Sequence, residues 1–210
     1  MVRRQDWLGV VTLKKILIAT RNNGKLREMA AALSKLPVQV LSLADFDNLP
    51  DAVEDGKTFE DNARIKAKFF HELTGVACLA DDSGLEVDAL NGEPGVNSAR
   101  YAGYHADDGT NNSVLLRELK KVGVEKSTAD YRCALCFIDE GVEILTVGKI
   151  DGTIKISPRG NGGFGYDPYF YINDSKTMAE LTAAEKDLIS HRGEALRKIM
   201  PLLEGYLNSL

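Results

Sequence analysis

Two short apolar runs, KKILIAT (Lys14–Thr20) and VQVLSL (Val38–Leu43), flank a segment in which Leu26, Met29, Ala30 and Leu33 recur at helical spacing. Runs this short and rich in branched residues read as buried strands. Strand, helix and strand joined by tight connections favour an α/β fold, in which helices must cover a sheet.

The remaining pattern agrees. TFEDNARIKAKFFHEL (Thr58–Leu73) is a helix, with Phe59, Ala63, Ala67 and Phe70 on its core side. Asn62 and Lys66, four apart, share another face, and Glu60 is placed to pair with Arg64. GVACLAD is a third strand, followed by about twenty residues rich in Gly and small polar side chains that read as a loop. GTNNSVLLRELKKVG is helical. ADYRCALCFIDEGVEILTVGKIDGTI reads as two antiparallel strands that turn near Glu140–Gly141, with a bend at Asp151–Gly152. The C-terminal section is helical, with a capping box at Thr182–Glu185 and points of kinking or division at Gly193 and Pro201. The expected architecture is a twisted mixed sheet flanked by helices, one domain over residues 14–210 behind an N-terminal extension of residues 1–13. That extension has a broken apolar run and no small-residue cleavage site, so it does not read as a signal peptide.

With 44% hydrophobic residues in 210, the chain can bury a substantial core. Its net charge of −5 offers no basic footprint for a nucleic-acid polymer, although a few cations in one cleft can still hold a small polyanion. No run approaches the roughly 18–20 apolar residues of a membrane span. Cys78, Cys133 and Cys136 are an odd number. Cys133 and Cys136 form a CxxC on a strand, where positions three apart face opposite sides, so buried free thiols and a cytoplasmic location are expected.

Five stretches can carry chemistry. ATRNNGKLRE joins the first strand to the first helix, where backbone N–H groups attract phosphate and Lys25 adds a mobile charge. It is not a Walker A loop, because Ala19 and Leu26 stand where that pattern needs Gly and Ser/Thr. Asn22, Lys25 and Glu28 lie along one helix edge; a solvated strand–turn–helix is the plain alternative. In ADDSG, strand alternation sends Asp81 and Asp82 to opposite sides. Neighbouring buried carboxylates resist joint ionisation unless cations sit close, which a divalent metal with Lys25 or Lys66 would supply. The loop VEDGKTFEDNA offers Glu54, Asp55, Glu60 and Asp61, of which magnesium needs one or two at most. GNGGFGYDP and SHRG bring Phe164 and Tyr166, which can stack on a nucleobase, and the adjacent His191 and Arg192.

Five segments, ATRNNGKLRE, TFEDNARIKA, ADDSGLEVDALNGEPGVNSARYAG, GGFGYDP and AELTAAEKDLISHRGEAL, occur in an order that resembles the inosine/xanthosine triphosphate pyrophosphatases. The likeness covers the chain from about Lys14 to its end. It departs at Arg21, where many members have Gly. It implies an elongated α/β fold with a central mixed sheet flanked by helices, two lobes with the substrate cleft between them, and a homodimer. It also implies magnesium-dependent attack of water on ITP, dITP or XTP, leaving a monophosphate and pyrophosphate. Residue by residue, the triphosphate loop falls on Thr20, Arg21, Asn22, Asn23, Gly24 and Lys25, with a further phosphate-binding lysine at Lys66. The general base falls on Asp82 and a substrate contact on Ser83. The base-reading groups fall on Phe164, Gly165, Tyr166, Asp167, Lys186, His191 and Arg192. The Mg²⁺ ligands fall on Asp82 and Glu54. Arg192 can only donate, so it suits the ring oxo group of hypoxanthine or xanthine and would leave an adenine amino group unpaired. A Maf-like nucleotide pyrophosphatase, acting on pyrimidine or modified nucleotides, is the nearest alternative enzyme. A nucleotide-binding protein without turnover is the alternative from another class.

Overall fold

β1 (Lys14–Ala19) enters the core immediately, with Ile16 to Ala19 all fully buried. In the computed structural model, which describes residues 13–210, it lies between β2 (Val38–Ser42) and β3 (Ala77–Val87), parallel to both. Residues 1–12, nearly all of the expected N-terminal extension, lie outside the described residues. β4 (Lys126–Asp139), β5 (Val142–Lys155) and the short β6 (Phe170–Tyr171) continue the sheet antiparallel, in the order β2-β1-β3-β4-β5-β6. The expected mixed sheet flanked by helices is therefore what forms.

One expectation changes. The third strand does not give way to loop at Asp81; it runs on to Val87, because β4 pairs with it from Cys78↔Ile138 to Val87↔Ala129. Glycine and paired carboxylates argue locally against a strand, and ten consecutive cross-strand positions override them. Pairing also carries β5 straight through the expected bend at Asp151–Gly152.

The long strands link separate cores. α1 (Asn23–Leu33) and α5 (His191–Leu207) pack on one face around Ile16, Leu135 and Phe137. α2 (Phe59–Thr74) covers the other face, burying Phe59, Ala63, Ala67 and Phe70 as the spacing predicts. The far halves of β3, β4 and β5 form a third core with α3 (Asp108–Lys121) and β6, centred on Leu85, Leu115 and Phe170. Asp81 to Gly84 sit on β3 where these cores meet, which is where a cleft between lobes belongs.

α4 (Ala183–Ile189) starts from the predicted capping box, Thr182 exchanging hydrogen bonds with Glu185. The break between α4 and α5 falls at Ser190, not at Gly193. Ser190 ends α4, and its side chain accepts from Gly193 N to start α5, while Pro201 is carried inside the helix. α5 lies so close to β5 that a Cβ on Gly148 would stand 2.0 Å from His191 O and 2.6 Å from Ala195 N. Only glycine allows this approach, and it sets His191 and Arg192 at the cleft. Arg64 pairs with Glu143 across the sheet at 2.7 Å instead of with Glu60.

Candidate active site

The turn after β1 is shaped by Asn22, which caps α1 by accepting from Gly24 N at 2.8 Å and Lys25 N at 3.0 Å. Thr20 Oγ1 accepts from Asn22 N. This orients Lys25 inward, and its ammonium reaches Asp81 Oδ1 at 2.5 Å. Asn22 and Lys25 line a cavity of about 180 Å³. Arg21 and Asn23 are exposed and do not line it. Arg21 turns outward, its Nε donating to Asp51 Oδ1 at 2.6 Å and its Nη2 to Leu49 O at 2.7 Å.

Alternation on β3 separates the paired acids as predicted. Asp81 is fully buried and accepts from four donors: Lys25 and Ser83 Oγ on Oδ1, Arg192 Nε at 2.7 Å and Cys133 Sγ at 3.1 Å on Oδ2. Burial opposes its charge, but Arg192 and Lys25 outweigh burial and hold the carboxyl well below the usual range. It is thus an anchor, not a base. Cys133 and Cys136 occupy opposite faces as free thiols, Cys133 in the α1–α5 core and Cys136 in the α2 core.

Asp82 differs. It is 7% exposed, its Oδ1 stands 3.9 Å from Lys66 Nζ, and its buried Oδ2 has no hydrogen-bond partner. Burial pushes its carboxyl up to about 6, against the pull of Lys66 and Lys25. Lys66 also binds Glu54 at 2.9 Å and Asp81 O at 3.1 Å. Burial lowers its pKa, but Asp82 and Glu54 together raise it above the ordinary value, so it stays charged. Among the described residues no cluster of three or more His, Cys, Asp or Glu side chains could hold a metal by itself. Two carboxylates, one with an orphaned oxygen, match an ion that takes one or two protein oxygens and leaves the rest to water and phosphate.

Arg192, the largest fully buried side chain among the described residues, is 1% exposed. Its Nε goes to Asp81, Nη1 to Glu28 at 2.6 Å and Nη2 to Ser83 Oγ at 2.8 Å. Of the five guanidinium N–H groups these use three, leaving two for the cavity that Arg192 lines. Ser83 lines it too, with its hydroxyl already shared between Asp81 and Arg192. Lys186 is buried between Asp167 at 2.6 Å and Glu28 at 3.4 Å, its ammonium 4.2 Å from the centre of the Phe164 ring. Phe164 N also donates to Asp167. The ring lies against α1 so closely that a Cβ on Gly24 would stand 2.4 Å from it. His191 stacks on Tyr131, centroids 4.7 Å apart; burial, with Arg192 adding to it, keeps the imidazole neutral.

The structure therefore gathers Asn22, Lys25, Ser83, Phe164, Gly165, Tyr166, Asp167, Lys186, His191 and Arg192 around one cavity, while Asp82, Lys66 and Glu54 form a charged cluster off its lining, joined to Lys25 through Asp81. Sequence reasoning noticed Asp81 and Glu28 but gave them no role in the site, and it passed over Tyr131. The first two carried a signal, the doubled aspartate and the three-residue spacing from Asn22; Tyr131 carried none.

The Ham1 family model matches residues 16–202. A dITP/XTP pyrophosphatase of Geobacter sulfurreducens is 52% identical over 88% of this chain and 94% of its own length. One from Bacillus licheniformis is 49% identical over 91% and 99%. The structure of a HAM1 protein from Coxiella burnetii superposes with a TM-score of 0.81 at 38% identity, covering 91% of this chain and 98% of that one. A nucleoside-triphosphatase / dITP/XTP pyrophosphatase from Mycobacterium abscessus superposes with a TM-score of 0.71 at 46% identity, covering 89% and 99%.

Proposed function

The chain belongs to the Ham1 family, and on that premise we propose that it hydrolyses non-standard purine nucleoside triphosphates (ITP, dITP and XTP) to the monophosphate and pyrophosphate. The observation that carries this reading is the position of Lys25. It lines the aromatic cavity and grips Asp81, one residue from Asp82, whose buried Oδ2 has no hydrogen-bond partner.

The purine lies in the cavity against Phe164, and its ring oxo group accepts from the two free N–H groups of Arg192. Asp81, Glu28 and Ser83 hold that guanidinium in place, so its donors are aimed before substrate arrives. Adenine would present an amino group to these donors and leave both sides unpaired. Lys25 and Lys66 carry the triphosphate, with the backbone N–H groups at the start of α1 close by. Asp82 and Glu54 would hold magnesium, which would supply neutralisation of the triphosphate and of the charge developing on pyrophosphate. The Asp82 carboxylate accepts a proton from the attacking water. The water oxygen bonds to the α-phosphorus, the bond to the α–β bridging oxygen breaks, and pyrophosphate departs.

Residues 14–210 act as one domain in this reading. Free buried thiols agree with a cytoplasmic location, and no helix among the described residues is long and apolar enough to cross a membrane. The working form is a homodimer, which sedimentation would test.

The test of function incubates the protein and Mg²⁺ with ITP, XTP, GTP, ATP, dTTP and UTP and identifies the phosphate released. Pyrophosphate from ITP and XTP, with little from the rest, supports the reading. A preference for dTTP or UTP would point to Maf-like chemistry, and orthophosphate would refute the cleavage position.

A further inference from the structure

α3 opens with the stretch DGTNN, to which the sequence reading gave no chemistry. Asp108 and Asn112, four apart, lie on one side of its first turns and grip a single residue of the Gly-rich loop. Gly165 N donates to Asp108 Oδ2 at 2.6 Å, and Asn112 Nδ2 donates to Gly165 O at 3.0 Å. Gly165 directly follows Phe164, one of the aromatic rings of the cavity. The same helix holds the segment after β3: Asn111 Oδ1 accepts from Ala102 N at 2.8 Å, and its Nδ2 donates to Ala99 O at 3.2 Å. Tyr166 OH closes the circuit by donating to Ser98 O at 2.7 Å. Asp108 and Asn111 line the cavity beside Phe164 to Asp167.

We propose that Asp108 and Asn112 are positioning residues for the purine, acting through Gly165 to fix the plane of Phe164. An aromatic platform on a free loop must be ordered when the base arrives, and that ordering subtracts from affinity; one clamped beforehand avoids the loss. The clamp's hydrogen bonds reach the base end only: Lys25, Lys66 and the turn after β1 make none to α3, and that turn meets the clamp through the packing of Phe164 on Gly24. This rests on the reading that the cavity takes a purine.

The test compares wild type with an Asp108→Ala/Asn112→Ala double variant and with Asp108→Asn. Calorimetry measures binding of IMP and of inorganic tripolyphosphate, and kinetics measures KM for ITP. In the double variant the IMP Kd and the ITP KM rise about ten-fold, equivalent to ~1.4 kcal/mol, while the tripolyphosphate Kd stays within about two-fold. Asp108→Asn still presents an oxygen to Gly165 N and keeps IMP affinity within about three-fold of wild type. A folded double variant that binds IMP like wild type overturns the inference alone. Equal weakening of IMP and tripolyphosphate also overturns it, since the effect would then be general. Wild type that binds tripolyphosphate but not IMP overturns the purine reading and this inference with it. Should the double variant fail to fold, Asn112→Ala and Asp108→Ala are read singly against Asp108→Asn by the same measures.

Discussion

Replacing Asp81 by Asn leaves the shape of the side chain nearly unchanged and removes one negative charge from the centre of the protein. Asp81 now meets Lys25 and Ser83 on one oxygen and Arg192 and Cys133 on the other. An amide has one acceptor and one donor group, so its NH₂ must face N–H, S–H or O–H donors on one side. Breaking a buried ion pair by removing one partner costs about 3–5 kcal/mol, because the other charge stays behind. Arg192 keeps Glu28 at 2.6 Å, which argues for the lower end, about 3 kcal/mol. For a chain of this size that lowers Tm by roughly 6–12 °C. The assay is thermal unfolding by circular dichroism with parallel urea titrations, the m-value serving to check that the unfolding transition is otherwise unchanged. The pH dependence has a definite sign. Since the folded-state pKa of Asp81 is depressed, its stabilisation is complete above the unfolded value of about 3.9 and is lost as pH falls through the folded value. The gap between wild type and Asp81→Asn should therefore be constant from about pH 7 to 8, above the titration of neighbouring Asp82 that the Asp81 charge helps to raise, and close fully only in strong acid. A loss below about 1 kcal/mol at neutral pH would refute the reasoning, since it would mean the four donors find other partners. The same geometry makes Arg192→Ala a poor probe of base selectivity, because it strands Asp81 and Glu28 together.

Asp82→Asn should lower turnover by about 10²–10⁴-fold while nucleotide binding remains measurable, and near-normal turnover would remove Asp82 as the base. In metal-free protein the Asp82 carboxyl should titrate near 6, as read by carbon NMR; its charge is absent below that pH because burial opposes it, and a midpoint in the ordinary aspartate range would show the site to be wetter than its burial indicates. Gly148→Ala should destabilise by about 1–3 kcal/mol or more, since the new methyl meets the backbone of α5 and not a movable side chain; an unchanged Tm would show that α5 can lift from β5 without cost.

Much of this molecule was legible in local pattern. The β-α-β opening, the core face of α2 and the capping box at Thr182 follow from spacings of two to four residues, which set helix and strand faces before any tertiary contact exists. Strand alternation alone placed Asp81 and Asp82 on opposite sides, and Cys133 apart from Cys136. Arg21 shows the limit of carrying a motif over by position. It stands in the turn to which the resemblance assigns the triphosphate, yet its side chain finds Asp51 and Leu49 outside the cleft.

Partner choice could not be read from the chain. That β3 runs past two carboxylates and a glycine was decided by β4, and that α4 ends at Ser190 by the seating of α5 on Gly148. Above all, the division of labour between two adjacent aspartates came from distant elements. Arg192, 111 residues away, and Lys25 converge on Asp81 and keep it ionised, while Asp82 receives only a longer contact from Lys66 and is left with an orphaned oxygen. Identical side chains acquire different chemistry because charge in a buried site is governed by what lies within a few ångströms, and the folded chain alone determines those distances.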